Sequence, residues 1–150
     1  QTKQYEIFKA IIEATAFGSL IIIDQIEKYG VDIKEIIAIG GLSKSNMIMQ
    51  VYSDITGRKI KVLKSDQVCA VGSAILASCN NKEGYENLKT SQKKMSVKVK
   101  KIFYPNKKNN NIYMKIYRLY CDLHDAFGKN KNKKSLHHIM KKLISIKNES

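Results

Sequence analysis

The order of hydrophobic patterns in the first 80 residues predicts an α/β fold. Three observations carry that expectation. An apolar run, Ile36 to Ile39, ends in Gly40-Gly41 and a short polar turn. A helical pattern from Asn46 to Thr56 follows and stops at Gly57. A second strand-like run, Lys59 to Leu63, then leads into a further helical stretch that Asp66 opens and that ends near Cys79.

The elements follow in order. Residues 4–29 read as one long helix, because Tyr5, Phe8, Ile12, Ala16, Ser19 and Ile23 recur at three- and four-residue steps. Gly30 stops it. Gly18 lies inside it, which predicts a close neighbour, by preference another helix. Residues 36–39 read as a buried strand. Ser43 or Ser45 caps the next helix, whose apolar stripe is Met47, Val51 and Ile55. The alternation of Ile60 and Val62 with lysines predicts a half-exposed or edge strand. The helix after Asp66 is rich in small residues, among them Ala70, Gly72, Ser73, Ala74 and Ala77, which suits close packing.

Composition changes after Asn80-Asn81. Helices are predicted over about Glu86 to Met95, Asn111 to Phe127 and Leu136 to Ile146. The middle one has a strong stripe of Tyr113, Ile116, Tyr117, Tyr120, Leu123 and Phe127. Ile102 to Pro105 is extended, since residues before proline avoid the α region. Residues 1–80 therefore read as an α/β core, and residues 81–150 as a basic helical extension packed on the same domain.

Charge divides at the same place. The net charge is +14. Residues 1–80 carry 9 Lys+Arg against 8 Asp+Glu, and residues 81–150 carry 18 against 5. Lys/Asn tracts such as 107–111 and 129–134 read as solvated faces. No RNA-binding signature or spaced Cys/His pattern accompanies them, so nucleic acid is not the expected partner. A non-enzymatic basic module bound to nucleic acid stands as the alternative from a different class. Cys69, Cys79 and Cys121 are widely spaced and read as buried thiols in a reducing cytoplasm. The run Leu20 to Ile23 is too short to span a bilayer, and no secretory leader is visible. A first residue of Gln, with helical patterning at once, suggests a piece of a longer protein.

The chemistry-bearing feature is the turn after residue 39. Glycine lets a ligand approach backbone closely. The helix that follows offers free N–H groups at the positive end of its dipole. Neither GxGxxG nor GxxxxGK[ST] is matched, so the Rossmann and P-loop readings fail on spacing. His124-Asp125 and His137-His138 are adjacent pairs that do not share a helix face, and are read as structural. Asp54 and Asp66 are expected on a helix surface and at an N-cap.

Several segments taken together resemble a known family. They are Glu13-Ala14-Thr15-Ala16-Phe17-Gly18, then Gly40-Gly41-Leu42 with Asn46 and Met49-Gln50, then Tyr52 to Arg58, and then Ala70 to Ala74. Tyr117-Arg118-Leu119-Tyr120 and Leu123-His124-Asp125-Ala126-Phe127-Gly128 complete the set. In this order they resemble the FGGY carbohydrate kinases, and within them the ribulokinase branch, with xylulokinases and glycerol kinases as near alternatives. Ser43-Lys44-Ser45 is more polar than is usual there, and Met47 stands where proline is frequent.

The resemblance implies a ribonuclease-H/actin-like ATPase fold, of which this chain is the C-terminal part of the second domain with a helical C-terminal extension. It implies ATP as cofactor, with Mg2+ held mainly through the nucleotide and upstream residues. Gly40, Gly41, Ser45 and Asn46 would form the nucleotide site. The catalytic base, the ketopentose pocket and the N-terminal kinase domain would lie outside the chain, in a cytoplasmic enzyme whose self-association is open. The chain alone would be inactive.

Overall fold

The computed structural model describes residues 2–79, 84–85, 87–128, 136 and 138–149. Helix α1, Gln4–Lys28, precedes strand β1, Glu35–Ala38. A 3-10 turn, Gly41–Lys44, leads into α2, Asn46–Thr56, and then β2, Lys59–Leu63. Next come α3, Val68–Ser78, α4, Leu88–Met95, and β3, Val99–Phe103. The chain finishes in α5, Lys107–Gly128, and α6, Ile139–Glu149.

The sheet order is β1-β2-β3. β1 and β2 are parallel, with Ile36 opposite Ile60 and Ala38 opposite Val62, and α2 is the crossover between them. β3 runs antiparallel to β2, with Ile60 opposite Phe103 and an irregularity at Val62/Leu63. Two expectations are corrected here. Of the two readings offered for β2, half-exposed holds, with Ile60 and Val62 buried between half-buried neighbours, but among the described strands it is central rather than an edge. Residues 81–150, expected to be helical, also contribute a strand to the sheet. The lysines of β3 hide this from a sequence pattern, because Val99-Lys100-Lys101-Ile102 has no clean alternation.

The core has two parts. In the first, Ile12, Ile48 and Met49 pack on Ile60, Val62 and Phe103 of the sheet. In the second, Ala16, Phe17 and Leu20 of α1 meet Ile55 of α2 and Tyr117 of α5. Phe17 touches three tyrosine rings, Tyr113, Tyr117 and Tyr120, at centroid distances of 6.2, 5.9 and 5.4 Å. The hydroxyls of this cluster find acceptors on α1. Tyr113 donates to Glu13 at 2.8 Å and Tyr117 to Asp24 at 2.6 Å. Burial first, and then the carboxylate acceptor, push both phenols well above their ordinary range. The neighbour expected at Gly18 is α5, since a Cβ there would lie 3.8 Å from the Tyr120 hydroxyl.

Some stripe residues are misplaced in the sequence reading. Tyr5, Phe8, Met47 and Phe127 are exposed, whereas Phe17, Leu20, Ile48 and Met49 are buried. The predicted positions Ile12, Ala16 and Ile23 of α1 and Ile55 of α2 are buried as expected, so the buried faces are wider than the predicted stripes rather than elsewhere. The small residues of α3 are exposed, and a Cβ at Gly72 would meet open space. Instead α3 packs on α4, where buried Ser91 bonds Ser78 and donates to Ile75 O at 3.1 Å. The cysteines are free thiols, but Cys69 is exposed and the other two are only half-buried. The Asn80-Asn81 boundary, His137 and the tract 129–134 lie outside the described residues.

Candidate functional site: the turn between β1 and α2

The turn is built by one glycine and one serine. Gly40 adopts φ 87° and ψ −169°, a conformation essentially closed to residues with a Cβ. Its carbonyl accepts from Ser43 N at 3.2 Å and Ser43 Oγ at 2.7 Å, which closes the 3-10 turn. Ser45 is the N-cap of α2: its Oγ accepts from Ile48 N at 3.4 Å. Of the two serines offered by the sequence, Ser45 therefore caps the helix and Ser43 tightens the turn. The helix ends as predicted, at Gly57 in the left-handed conformation with φ 67°.

Gly40, Gly41, Ser45 and Asn46 are thus brought together on one continuous turn. Gly41 differs from Gly40. Its φ is not positive, and a Cβ there would project into open space. Asn46 is exposed and its side chain has no bonding partner among the described residues. The first N–H groups of α2 lack intrahelical acceptors by construction. The turn therefore offers flexible approach at Gly41, amide donors at the helix mouth, and an Asn side chain that can both donate and accept. Such a set can hold a nucleotide.

Sequence reasoning missed the roles of the two aspartates, one beside this turn and one at the far end of α2. Asp66 does not cap α3, whose N-cap, Gln67, makes no side-chain bond. It pairs with Lys44 at 3.1 Å, tying the turn to the loop after β2, with both side chains exposed. Asp54 is not on a surface but buried. Its Oδ1 accepts from Gln50 Nε2 and from Asn106 N, both at 2.8 Å, and its Oδ2 accepts from Asn109 Nδ2 at 2.8 Å. Asn110 Nδ2 donates to the Asp54 carbonyl at 2.7 Å. This one side chain fastens the start of α5 to α2. Asn106 and the tract 107–111, the latter read as solvated, supply its donors from the α5 side. The only hint was that four asparagines next to Pro105 suit a helix start.

Arg58 forms a second fastening. It donates to Ile33 O at 2.8 Å and to Glu27 Oε1 at 2.6 Å, clasping the α1–β1 connection to the end of α2. The Arg58 bond holds the Glu27 carboxyl below its usual range. His124 and Asp125 do touch, with Nδ1 3.3 Å from Oδ1, against the expectation from helix geometry. Both belong to α5, which contributes nothing to the turn. Among the described residues no group of three or more His, Cys, Asp or Glu side chains could hold a metal, and no helix is long and apolar enough to cross a membrane.

Comparison with known proteins gives a consistent picture. The model of the C-terminal domain of the FGGY family of carbohydrate kinases matches residues 1–80. A ribulokinase of Halalkalibacterium halodurans is 39% identical over 151 aligned positions, covering 98% of this chain and 26% of the relative. A ribulokinase of Geobacillus thermodenitrificans is 41% identical over 135 positions, covering 87% of this chain and 24% of the relative. The ligand-bound xylulose kinase of Lactobacillus acidophilus superposes with a TM-score of 0.71 at 24% identity, over 89% of this chain and 26% of its own. At that identity the likeness speaks for the fold alone. The chain spans about a quarter of the length of the curated relatives it matches.

Proposed function

Since the chain belongs to the FGGY family of carbohydrate kinases, we propose that it is the nucleotide-side segment of a cytoplasmic ribulokinase. The whole enzyme would move the γ-phosphoryl group of ATP to L-ribulose, giving ADP and L-ribulose 5-phosphate. The identity to named ribulokinases over nearly the whole chain supports this sugar over D-xylulose or glycerol.

The observation that carries the reading is the Gly40–Asn46 turn. Phosphoryl transfer depends on positioning and charge neutralisation. Here the chain's part is positioning. Gly40 bends the backbone out of β1, Gly41 leaves the approach open, Ser45 fixes the start of α2, and Asn46 offers its amide to the adenosine part. Magnesium would supply charge neutralisation at the phosphates. In this reading the metal is carried by the nucleotide and by groups outside this chain. The base that takes the sugar proton and the sugar pocket belong to the same outside part, an N-terminal kinase domain. The chain alone would then phosphorylate nothing.

The test is Gly41→Val in the longer kinase. A side chain at Gly41 meets no atom of the protein, so folding should be unchanged. ATP affinity, read by calorimetry or as KM for ATP, should fall at least about tenfold, equivalent to about 1.4 kcal/mol. Unchanged affinity in a folded variant would remove the assigned site.

A further inference from the structure

The pair α5–α6 is joined by one ion pair and carries two loose cations beside it. Lys115 Nζ meets Glu149 Oε2 at 2.8 Å, and Ser145 Oγ donates to Glu149 Oε1 at 3.0 Å. These bonds, Lys115 first, hold the Glu149 carboxyl below its ordinary range. Next to them the two helices leave a pocket of about 270 Å³, whose walls include Arg118 and Leu119 of α5 and Lys142 and Ile146 of α6. Arg118 and Lys142 are exposed, and neither side chain has a partner among the described residues. Glu149 is the one carboxylate among the described residues that line the pocket, and Lys115 and Ser145 already occupy it. Two like charges that face one pocket from neighbouring helices repel each other until an anion lies between them.

We infer that this pocket binds the phosphate group of a small metabolite between Arg118 and Lys142. The guanidinium fork matches two phosphate oxygens, and the lysine ammonium takes a third. A phosphate monoester is close to a dianion at neutral pH, so it balances two unpaired cations where a carboxylate would balance one. The pocket is slightly smaller than the sites that hold drug-sized ligands. Buried Leu119 and half-buried Ile146 give it an apolar wall for a few carbon atoms, which favours a small sugar phosphate over bare phosphate. Once filled, the pocket would join α6 to α5 at a second point. Neither helix contributes to the Gly40–Asn46 turn, so the inference goes beyond the nucleotide reading and does not rest on it.

Calorimetric titration of the 150-residue chain at about 0.15 M salt tests this, with ribose 5-phosphate, inorganic phosphate and free ribose as probes. Ribose 5-phosphate should bind at one site per chain, and free ribose should not bind. Arg118→Ala and Lys142→Ala should each weaken binding about tenfold or more, as the loss of a charge-assisted hydrogen bond does. Arg118→Lys keeps the charge without the fork and should fall between wild type and Arg118→Ala. Lys141→Ala removes an exposed lysine of α6 that does not line the pocket, and it should change nothing. All three positions are exposed, so each variant should keep the wild-type circular dichroism. Inorganic phosphate bound as tightly as ribose 5-phosphate would keep the site and make free phosphate its ligand. Equal losses in Lys141→Ala and Lys142→Ala would overturn the inference, because the affinity would then come from the overall positive charge. Wild-type affinity in Arg118→Ala and Lys142→Ala would overturn it too, as would free ribose binding as tightly, or neither phosphate probe binding at millimolar concentration.

Discussion

At the C-terminal end of α2 polar side chains from two helices are bonded to one another, whereas at its N-terminal end Ser45 only caps the helix and the Asn46 side chain has no partner among the described residues. Asp54, Gln50, Asn106, Asn109 and Asn110 close a network around the last turns of the helix, with Ile55 buried beneath them. Eight residues before Asp54, Asn46 is exposed with no partner among the described residues, and thirteen before it a Cβ at Gly41 would meet open space. One helix thus carries both a fastening and the candidate site. Energy stored in contacts at the first end makes it possible to leave polar groups uncommitted at the second, which is what ligand recognition requires.

The largest effect should come from breaking the packing that backs the fastened end. Phe17 is buried against three tyrosines and shares a cluster with Ile55. Phe17→Ala should destabilise the chain by about 4 kcal/mol in urea unfolding, through lost burial and an unfilled cavity. A loss below about 1 kcal/mol would mean that α5 is not held to α1 by this cluster.

Asp54→Ala should come next, at about 3 kcal/mol, because it leaves two side-chain amides and the Asn106 N–H without their acceptor. Asp54→Asn keeps one acceptor oxygen, and Asn109 can turn its amide to offer another, so about half that loss is expected. If both variants lose equally little, the network does not fasten α5 and the contrast between the two ends of α2 fails. Either result is read from the same denaturation curves.

How much of this was legible in sequence follows from which physics is local. The limits of α2 are local: Ser45 caps it and Gly57 stops it, and both could be read directly. The α/β order and the Gly40 turn were legible for the same reason. The role of Asp54 was not, since its partners lie 52 to 56 positions away and an aspartate in a helix pattern looks like surface. Ile102 and Phe103 were read as extended, but the start of β3 was hidden because Lys100 and Lys101 break its alternation, and the further buried positions Phe17 and Leu20 of α1 because Ile, Ala and Leu occur on every side of that helix. In the candidate site the turn residues were legible. The Lys44–Asp66 tie across it was not, because it joins two loops 22 positions apart.

The N-terminal end of α2 offers a paired comparison within two residues. Ser45→Ala removes the cap on Ile48 N and should cost about 1 kcal/mol. Asn46→Ala removes a side chain with no partner among the described residues and should stay within about 0.5 kcal/mol. In the longer kinase the ranking should reverse for ATP affinity, with Asn46→Ala the more harmful. A stability loss at Asn46 equal to that at Ser45 would show that its amide is committed to the fold and unavailable to a ligand.

The smallest effect tests the one fastening on the strand that leads to the turn. Glu35 of β1 meets Lys59 Nζ at 2.7 Å and Lys61 Nζ at 2.8 Å on β2. Those bonds lower its carboxyl from 4.5 to about 2. A carboxylate depressed in the folded state adds stability above its unfolded value and loses it as pH falls through the folded one. The gap in Tm between the wild type and Glu35→Gln should therefore be full at pH 6 and close between pH 4.5 and about 2. Glu27, lowered in the same direction by Arg58, is present in both proteins and cancels from the difference. All three side chains of the Glu35 pairs are at least a quarter exposed, so the gap should be small and should shrink in high salt. A gap that persists unchanged to pH 2 would assign the effect of Glu35→Gln to packing on the strand, and β1 would then be held by its backbone pairing with β2 and by Ile36 and Ala38 on the core, without the ion pairs.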